Sequence, residues 1–517
     1  MATAPAKSLP SIADLAAMQA EQLLERAASL ANIELQRSGF VPSPTEVQTI
    51  NENSGEMRAE IMRINAEILR LELLRGRLIT QLNMNCSLKA PVRRLPLELI
   101  SEIFLHLADI TIPHDRSRLI VRTVVCAWYT WWTAARCTPH LWTYIPSAYP
   151  TQTRGHSRPP AYPDYGLHAA LSGGLPLHIC HTVSDDDLLA RFLEELRPHA
   201  SRWQSIELQG YCSSFNSEKR VDLPSLEEAR LQLEGPPEPG TLDFLADALA
   251  LKHLDIEYVS SNLEFGSVSG LRLPCFPTLT HLSLGCDIEI PTDIIIPALR
   301  QCSATLTHLT LQTLIVISDA PAVTSTVDMT ALSSIDLACN SHEILQHITA
   351  PVLDNVALRD VLETDGDPFA SLLAFVSPSQ HAPIYYRPHV SHLPQSTEIT
   401  RLTVSGLESE SRRDTFLPCL ELLSGLRELI IDESVDNWHV VDEDVLVRLT
   451  CQQDIPPLLP KLTSFSFNSR RRRPPPSFKN ALREMVMSRE IPRICASQAV
   501  AAMTIDTDVK YERKIRT

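Results

Sequence analysis

The chain has 517 residues, 44% of them apolar and 21% charged, with a net charge of −16. That length exceeds one compact core and implies several domains or one extended array, while the apolar share excludes a wholly disordered chain. Residues 1–160 carry 17 Lys and Arg against 14 Asp and Glu, so the acidity lies beyond residue 160 and argues against general nucleic-acid binding, which needs a basic surface.

Proline (38) is abundant and glycine (16) scarce, which suggests many stiff, recurring connections. The twelve cysteines are scattered without a CxxC pair, as expected of a reducing compartment, cytoplasmic and/or nuclear. No apolar run reaches 18 residues, so neither a membrane span nor a secretory signal is expected.

Residues 1–55 read as a helical or disordered segment: Ile12 to Leu35 has the pattern of one amphipathic helix, ended by the Pro42 to Pro44 segment. Residues 56–88 read as a coiled-coil-like helix. Met57, Ile61, Ile64, Ile68, Leu71, Leu78 and Leu82 step by four and three, interrupted at Arg75, with Glu60, Arg63, Glu67 and Arg70 beside the seam. Three and a half heptads leave two uses open, a single helix lying on the next domain or a homodimer through Met57 to Leu82.

Residues 91–146 are a small helical block. Leu95-Pro96 opens a helix, since proline at the first helical position removes an N–H that would be unpaired there. Leu95, Leu99, Ile100, Ile103, Phe104 and Leu107 then share one face. Leu119, Val121, Val124, Val125, Trp128, Trp131 and Trp132 form a second block, closed by Pro139 to Trp142. About fifty residues cannot bury this much apolar surface alone, so the block calls for a partner surface.

The string LPxEL-I-xx-IF-xx-L, followed by V-C-x-W and P-x-LW, resembles the F-box, the helical motif of substrate receptors in SCF-type cullin-RING ubiquitin ligases. With the preceding coil, the layout is similar to that of a large fungal F-box family. The resemblance implies that Leu95, Pro96, Leu99, Ile103, Phe104 and Leu107 face a Skp-type adaptor, with Val125, Cys126 and Trp128 supporting them. Ala127 stands where the family usually has a basic residue.

Residues 147–165 are proline-rich and read as a linker. From residue 203 a hexad, apolar-x-x-apolar-x-apolar, recurs: WQSIEL (203), LEEARL (226), LKHLDI (251), LTHLSL (279), LTHLTL (306), LSSIDL (332), LDNVAL (353), ITRLTV (399), LRELII (426) and LTSFSF (462). Most starts lie within the leucine-rich-repeat spacing. The long interval from 353 to 399 implies a degenerate repeat or an insertion such as Ser379 to Pro394.

The hexad predicts one half-buried strand per repeat. Helices are predicted from Ser184 and Asp185 to Leu196, over Thr241 to Leu249, over Asp442 to Leu449 and over Phe478 to Met487. The expected fold is therefore α/β: N-terminal helices with a short coiled coil, a helical F-box, a leucine-rich-repeat-like solenoid over 166–495, and a mobile C-terminal segment over 496–517. Lacking the regular asparagine of the commonest repeats, the array resembles the irregular ones that follow an F-box. Its outward strand residues would form a target-binding surface: Ser205, Glu207, His253, Asp255, His281, Ser283, His308, Thr310, Ser334, Asp336, Arg401, Thr403 and Glu428.

A search for chemistry finds none that the spacing supports. His342 and His347 are five apart, one too many for a shared metal on a helix. No P-loop, GxSxG or strand-linked GxGxxG is present. Arg470 to Arg473 is the one dense basic run and reads as a solvated loop or a nuclear-import or nucleic-acid patch. The expectation is a non-catalytic adaptor without metal or cofactor, binding a Skp-type adaptor, through it a cullin, and a protein target. The alternative is a repeat scaffold outside any ligase, dimerised through its coil.

Overall fold

The computed structural model describes residues 12–110, 129–147, 164–183, 185–216, 221–235, 240–259, 273–316, 326–377, 398–407, 413–433, 440–469 and 475–507. It divides into two compact units, Met1–Leu99 and Ile100–Thr517.

The first unit is helical, with α1 (Ile12–Leu30), α2 (Ile33–Arg37) and α3 (Pro44–Lys89). The expected single helix to Leu35 breaks after Leu30 because Asn32 caps α2, its side chain accepting from the Leu35 amide. Pro44 begins a helix as well as following one. Ser43 and Glu46 close a capping box around it, with Pro44 in the first turn where its missing N–H costs nothing. The coil-like helix thus starts twelve residues before its predicted boundary and spans about 69 Å at 1.5 Å per residue. Its first turns pack with α1, and Arg26 pairs with Glu56 at 3.1 Å. From residue 61 to 89 every side chain of α3 is exposed, including Ile61, Ile64, Ile68, Leu71, Leu78 and Leu82. The flanking pairs Glu60–Arg63 and Glu67–Arg70 form as read, holding both carboxyls below the usual range.

The unit boundary falls within α4 (Leu97–Ile110), which α5 (Tyr129–Arg136) follows among the described residues. The second unit is then built on one sheet of thirteen strands. They are β1 (Tyr144–Pro146), β2 (Leu177–His181), β3 (Trp203–Tyr211), β4 (Glu228–Glu234), β5 (His253–Val259), β6 (His281–Pro291), β7 (His308–Val316), β8 (Ser334–Ala338), β9 (Asn355–Arg359), β10 (Arg401–Ser405), β11 (Glu428–Glu433), β12 (Ser464–Ser469) and β13 (Thr504–Thr507). Each pairs in parallel with its neighbours in chain order, the connectivity of a solenoid-like α/β array. Helices α6 (Tyr165–Leu171), α7 (Asp186–Leu196), α8 (Cys212–Asn216), α9 (Thr292–Gln301), α10 (Pro368–Val376), α11 (Arg413–Leu422), α12 (Glu443–Leu449) and α13 (Pro476–Arg489) lie between strands.

Register explains the hexad. Its fourth position forms one continuous column: Ile145, Ile179, Ile206, Ala229, Leu254, Leu282, Leu309, Ile335, Val356, Leu402, Leu429, Phe465 and Ile505. All but the half-buried Ile505 are buried, and each full burial of such a side chain contributes about 1.5–3 kcal/mol. The leading apolar residue, as in Leu251, Leu279 and Leu306, enters the core from the turn before the strand.

All ten hexads are strands of this sheet, and three further strands escape the pattern. β1 lies inside the segment assigned to the helical block and β13 inside the segment expected to be mobile, so the array runs from Tyr144 to Thr507, beyond the predicted 166–495. In each of β1, β2 and β13 the last apolar position of the hexad is polar, as Ser147, His181 and Thr507. β9 pairs directly with β10, so the long interval holds an insertion and no hidden ladder strand. Ser379 to Pro394 lie outside the described residues, as do most of the 147–165 linker and Arg470 to Arg473.

Asp185 caps α7 and Asp442 caps α12 through their carboxylates, while Ser184, the expected cap of the first, lies outside the described residues. Thr241 to Leu249 is not an α-helix; its one helical piece is the 3₁₀ turn Asp243–Leu245. Leu242, Leu245 and Ala248 are all buried, and a spacing of three suits the tighter helix better than 3.6.

Candidate protein-interaction surfaces

Helix α4 has two unlike sides. Ile100 and Phe104, one turn apart, are 1% and 3% exposed. Phe104 meets Trp131 edge-on, with centroids 5.7 Å apart, and the Thr138 hydroxyl reaches Ser101 at 2.9 Å. Leu99 and Ile103, also one turn apart, are 51% and 42% exposed, and Leu97 is exposed too. Of the expected adaptor-facing set, Phe104 is therefore buried in this chain, packed against Trp131 of α5. Pro96 is exposed and Leu95 half-buried. The Leu107 side chain and all of Val125, Cys126 and Trp128 lie outside the described residues.

Trp142 ends this block as a bridge to the sheet. It is buried, donates from Nε1 to the Ala135 carbonyl at 2.7 Å, and meets Trp132 and His168 edge-on. His168 sits on α6, and burial pushes its pKa down to about 4. β1 begins two residues after Trp142.

The outward face of the sheet has two registered columns. One runs Ser205, Glu228, His253, His281, His308, Ser334, Asn355, Arg401, Glu428 and Ser464, and the other Glu207, Arg230, Asp255, Ser283, Thr310, Asp336, Ala357, Thr403, Ile430 and Ser466. Every outward residue read from the sequence falls in these columns. Glu228 and Arg230 were missed although they occupy the same hexad offsets in LEEARL.

The columns are not uniformly free. Ser205 is bonded to His178 at 2.7 Å and Ser334 to Asn355 at 2.9 Å. Arg401 is held by Glu428 at 2.6 Å, and Asp336 by Arg359 at 3.1 Å. Burial raises the Asp336 carboxyl, with Arg359 opposing. Across β4 to β7 a shallow hollow of about 200 Å³ is lined by Glu228, Arg230, His253, Asp255, His281, Ser283, His308 and Thr310.

The three histidines of this hollow stack. The His281 and His308 rings lie 4.2 Å apart and 9° from parallel, and His253 lies 4.3 Å from His281 at 50°. Two protonated rings at this distance would repel by about 1–4 kcal/mol between water and a protein-surface dielectric. Burial and both neighbouring rings hold the His281 pKa below its ordinary value. Among the described residues no group of His, Cys, Asp or Glu is placed to hold a metal ion. His342, the other notable histidine, is buried, with Nδ1 on Ser371 at 2.9 Å and Nε2 on the Asp365 carbonyl at 2.8 Å. Among the described residues no helix is long and apolar enough to cross a membrane.

Comparison with protein families, with curated proteins and with solved structures gives no match.

Proposed function

We propose that this chain is a substrate-recognition subunit of an SCF-type cullin-RING ubiquitin ligase, acting in the cytoplasm and/or nucleus. The exposed side of α4 docks a Skp-type adaptor and through it a cullin, and the outward columns of the irregular leucine-rich-repeat array hold a protein target. The chain does no bond chemistry. It raises the effective concentration of the target's lysines at a ubiquitin-charged enzyme.

The observation that carries the reading is the division of α4. The helix that bears the F-box-like string keeps Leu99 and Ile103 uncovered while Ile100 and Phe104 anchor it. Apolar side chains one turn apart on an exposed helix are what a partner groove or helix takes up. Affinity purification from cells tests it: adaptor and cullin in the eluate support the ligase, and a target with neither sinks it.

A second reading is favoured by α3, whose apolar stripe is exposed from residue 61 to 89. In it the chain is a homodimeric scaffold joined through Met57 to Leu82, and the helical block only caps the array.

A further inference from the structure

Each of the stacked rings His281 and His308 has its Nδ1 on a neighbouring threonine hydroxyl. The Thr280 hydroxyl lies 3.0 Å from the Lys252 carbonyl oxygen and 2.8 Å from His281 Nδ1. If the hydroxyl proton goes to the Lys252 carbonyl, which only accepts, Nδ1–H of His281 donates to the hydroxyl oxygen. One repeat on, the Thr307 hydroxyl lies 2.9 Å from the Thr280 carbonyl oxygen and 2.9 Å from His308 Nδ1, the same arrangement. Ser333, Thr463 and Thr504 send their hydroxyl protons to the preceding repeat in the same way, so the direction belongs to the ladder.

With Nδ1 protonated, neutral His281 and His308 carry their lone pairs on Nε2. Neither Nε2 has a partner among the described residues. Two stacked rings thus offer two adjacent acceptors in the hollow. The charged groups around them are Glu228 and Arg230 on β4, paired at 3.0 Å, the Glu227–Lys252 pair beside His253, exposed Asp255 on β5, and Asp336 with Arg359 farther along the sheet. The nearby cations are each committed to a carboxylate, and Asp255 has no ion-pair partner among the described residues.

We propose that the His253, His281 and His308 strip docks a lysine- or arginine-bearing extended segment of the target, His281 and His308 Nε2 accepting from its ammonium or guanidinium and Asp255 supplying countercharge. This rests on the target-binding reading of the face. An acidic segment would meet lone pairs and carboxylates, and a metal ion lacks a placed ligand set.

The test uses the full chain and three synthetic twelve-residue peptides, alternating serine with lysine, glutamate or glycine, in fluorescence anisotropy at physiological salt. The lysine peptide is expected to bind at least tenfold more tightly than the others. His281→Phe with His308→Phe, which keeps the stack and removes the acceptors, is expected to abolish that preference with unchanged circular dichroism. Preference for the glutamate peptide, equal binding by the double variant, or binding only with added zinc would overturn the proposal. Capture of the adaptor by the same double variant separates the two claims: it stays intact if only the peptide docking is wrong, and is absent in wild type if the ligase reading is wrong.

Discussion

Replacing Arg489 with methionine removes a buried cation whose three donors hold the end of the array together. Arg489 closes α13 with no exposed surface, its Nε donating to the Leu449 carbonyl at 2.6 Å, Nη1 to Leu459 at 3.0 Å and Nη2 to Leu458. Its own carbonyl accepts from Met503 at 2.9 Å, just before β13. Burial lowers its pKa, yet an arginine remains protonated at neutral pH. Three charge-assisted bonds at about 1.5–3 kcal/mol each give about 4.5–9 kcal/mol. Desolvating the cation costs several kcal/mol, which leaves about 2–4 kcal/mol lost in Arg489→Met, a substitution that keeps the apolar stem packed. In a solenoid each unit contacts only its neighbours, so the loss is local. Native-state hydrogen exchange at Ser464–Ser469 and Thr504–Thr507 is expected to accelerate by about 30- to 1,000-fold at tenfold per 1.4 kcal/mol. Exchange across His253–Val259 should hardly change. Unaltered protection at Thr504–Thr507, or equal acceleration everywhere, would refute the reasoning.

The remaining predictions concern pH and association. His168 has a pKa near 4 when folded and about 6.5 when unfolded, so the unfolded chain binds more protons between these values. Its contribution is fully present above pH 6.5 and is lost as pH falls toward 4, by up to about 3 kcal/mol. His168→Phe should flatten the dependence of Tm on pH in that window, and an unchanged slope would count against the assignment. If α3 dimerises, sedimentation equilibrium gives a dimer for the natural chain and a monomer for Ile68→Lys with Leu71→Lys; a monomer in both excludes that reading.

Much of the array was legible because a hexad that buries positions one, four and six leaves the same print in every repeat. The fourth-position column from Ile206 to Phe465 could be written down from the sequence. β1, β2 and β13 could not, because Ser147, His181 and Thr507 stand where the hexad has its last apolar residue. Arg489 was hidden for another reason: a lone arginine after an amphipathic helix reads as a solvated end, and only the carbonyls of Leu449, Leu458 and Leu459 converging from the preceding segment make it a core residue. In α4 the sequence marked the apolar positions but not their division. Leu99 and Ile103 sit on one side and Ile100 and Phe104 on the other, and which side turns inward depends on Trp131, far along the chain. The histidine strip was read as three separate outward residues. Its stacking, and the contacts of its Nδ1 atoms with the Thr280 and Thr307 hydroxyls, follow from strand register.

The uncovered side of α4, proposed as the adaptor-docking surface, is probed by binding of a purified Skp-type adaptor to the full chain. Leu99 and Ile103 are exposed, so Leu99→Ala with Ile103→Ala should leave thermal unfolding unchanged. Losing two central apolar contacts should weaken adaptor binding by at least about tenfold. Full-strength binding by this double variant, or no binding by the natural chain, would contradict the account.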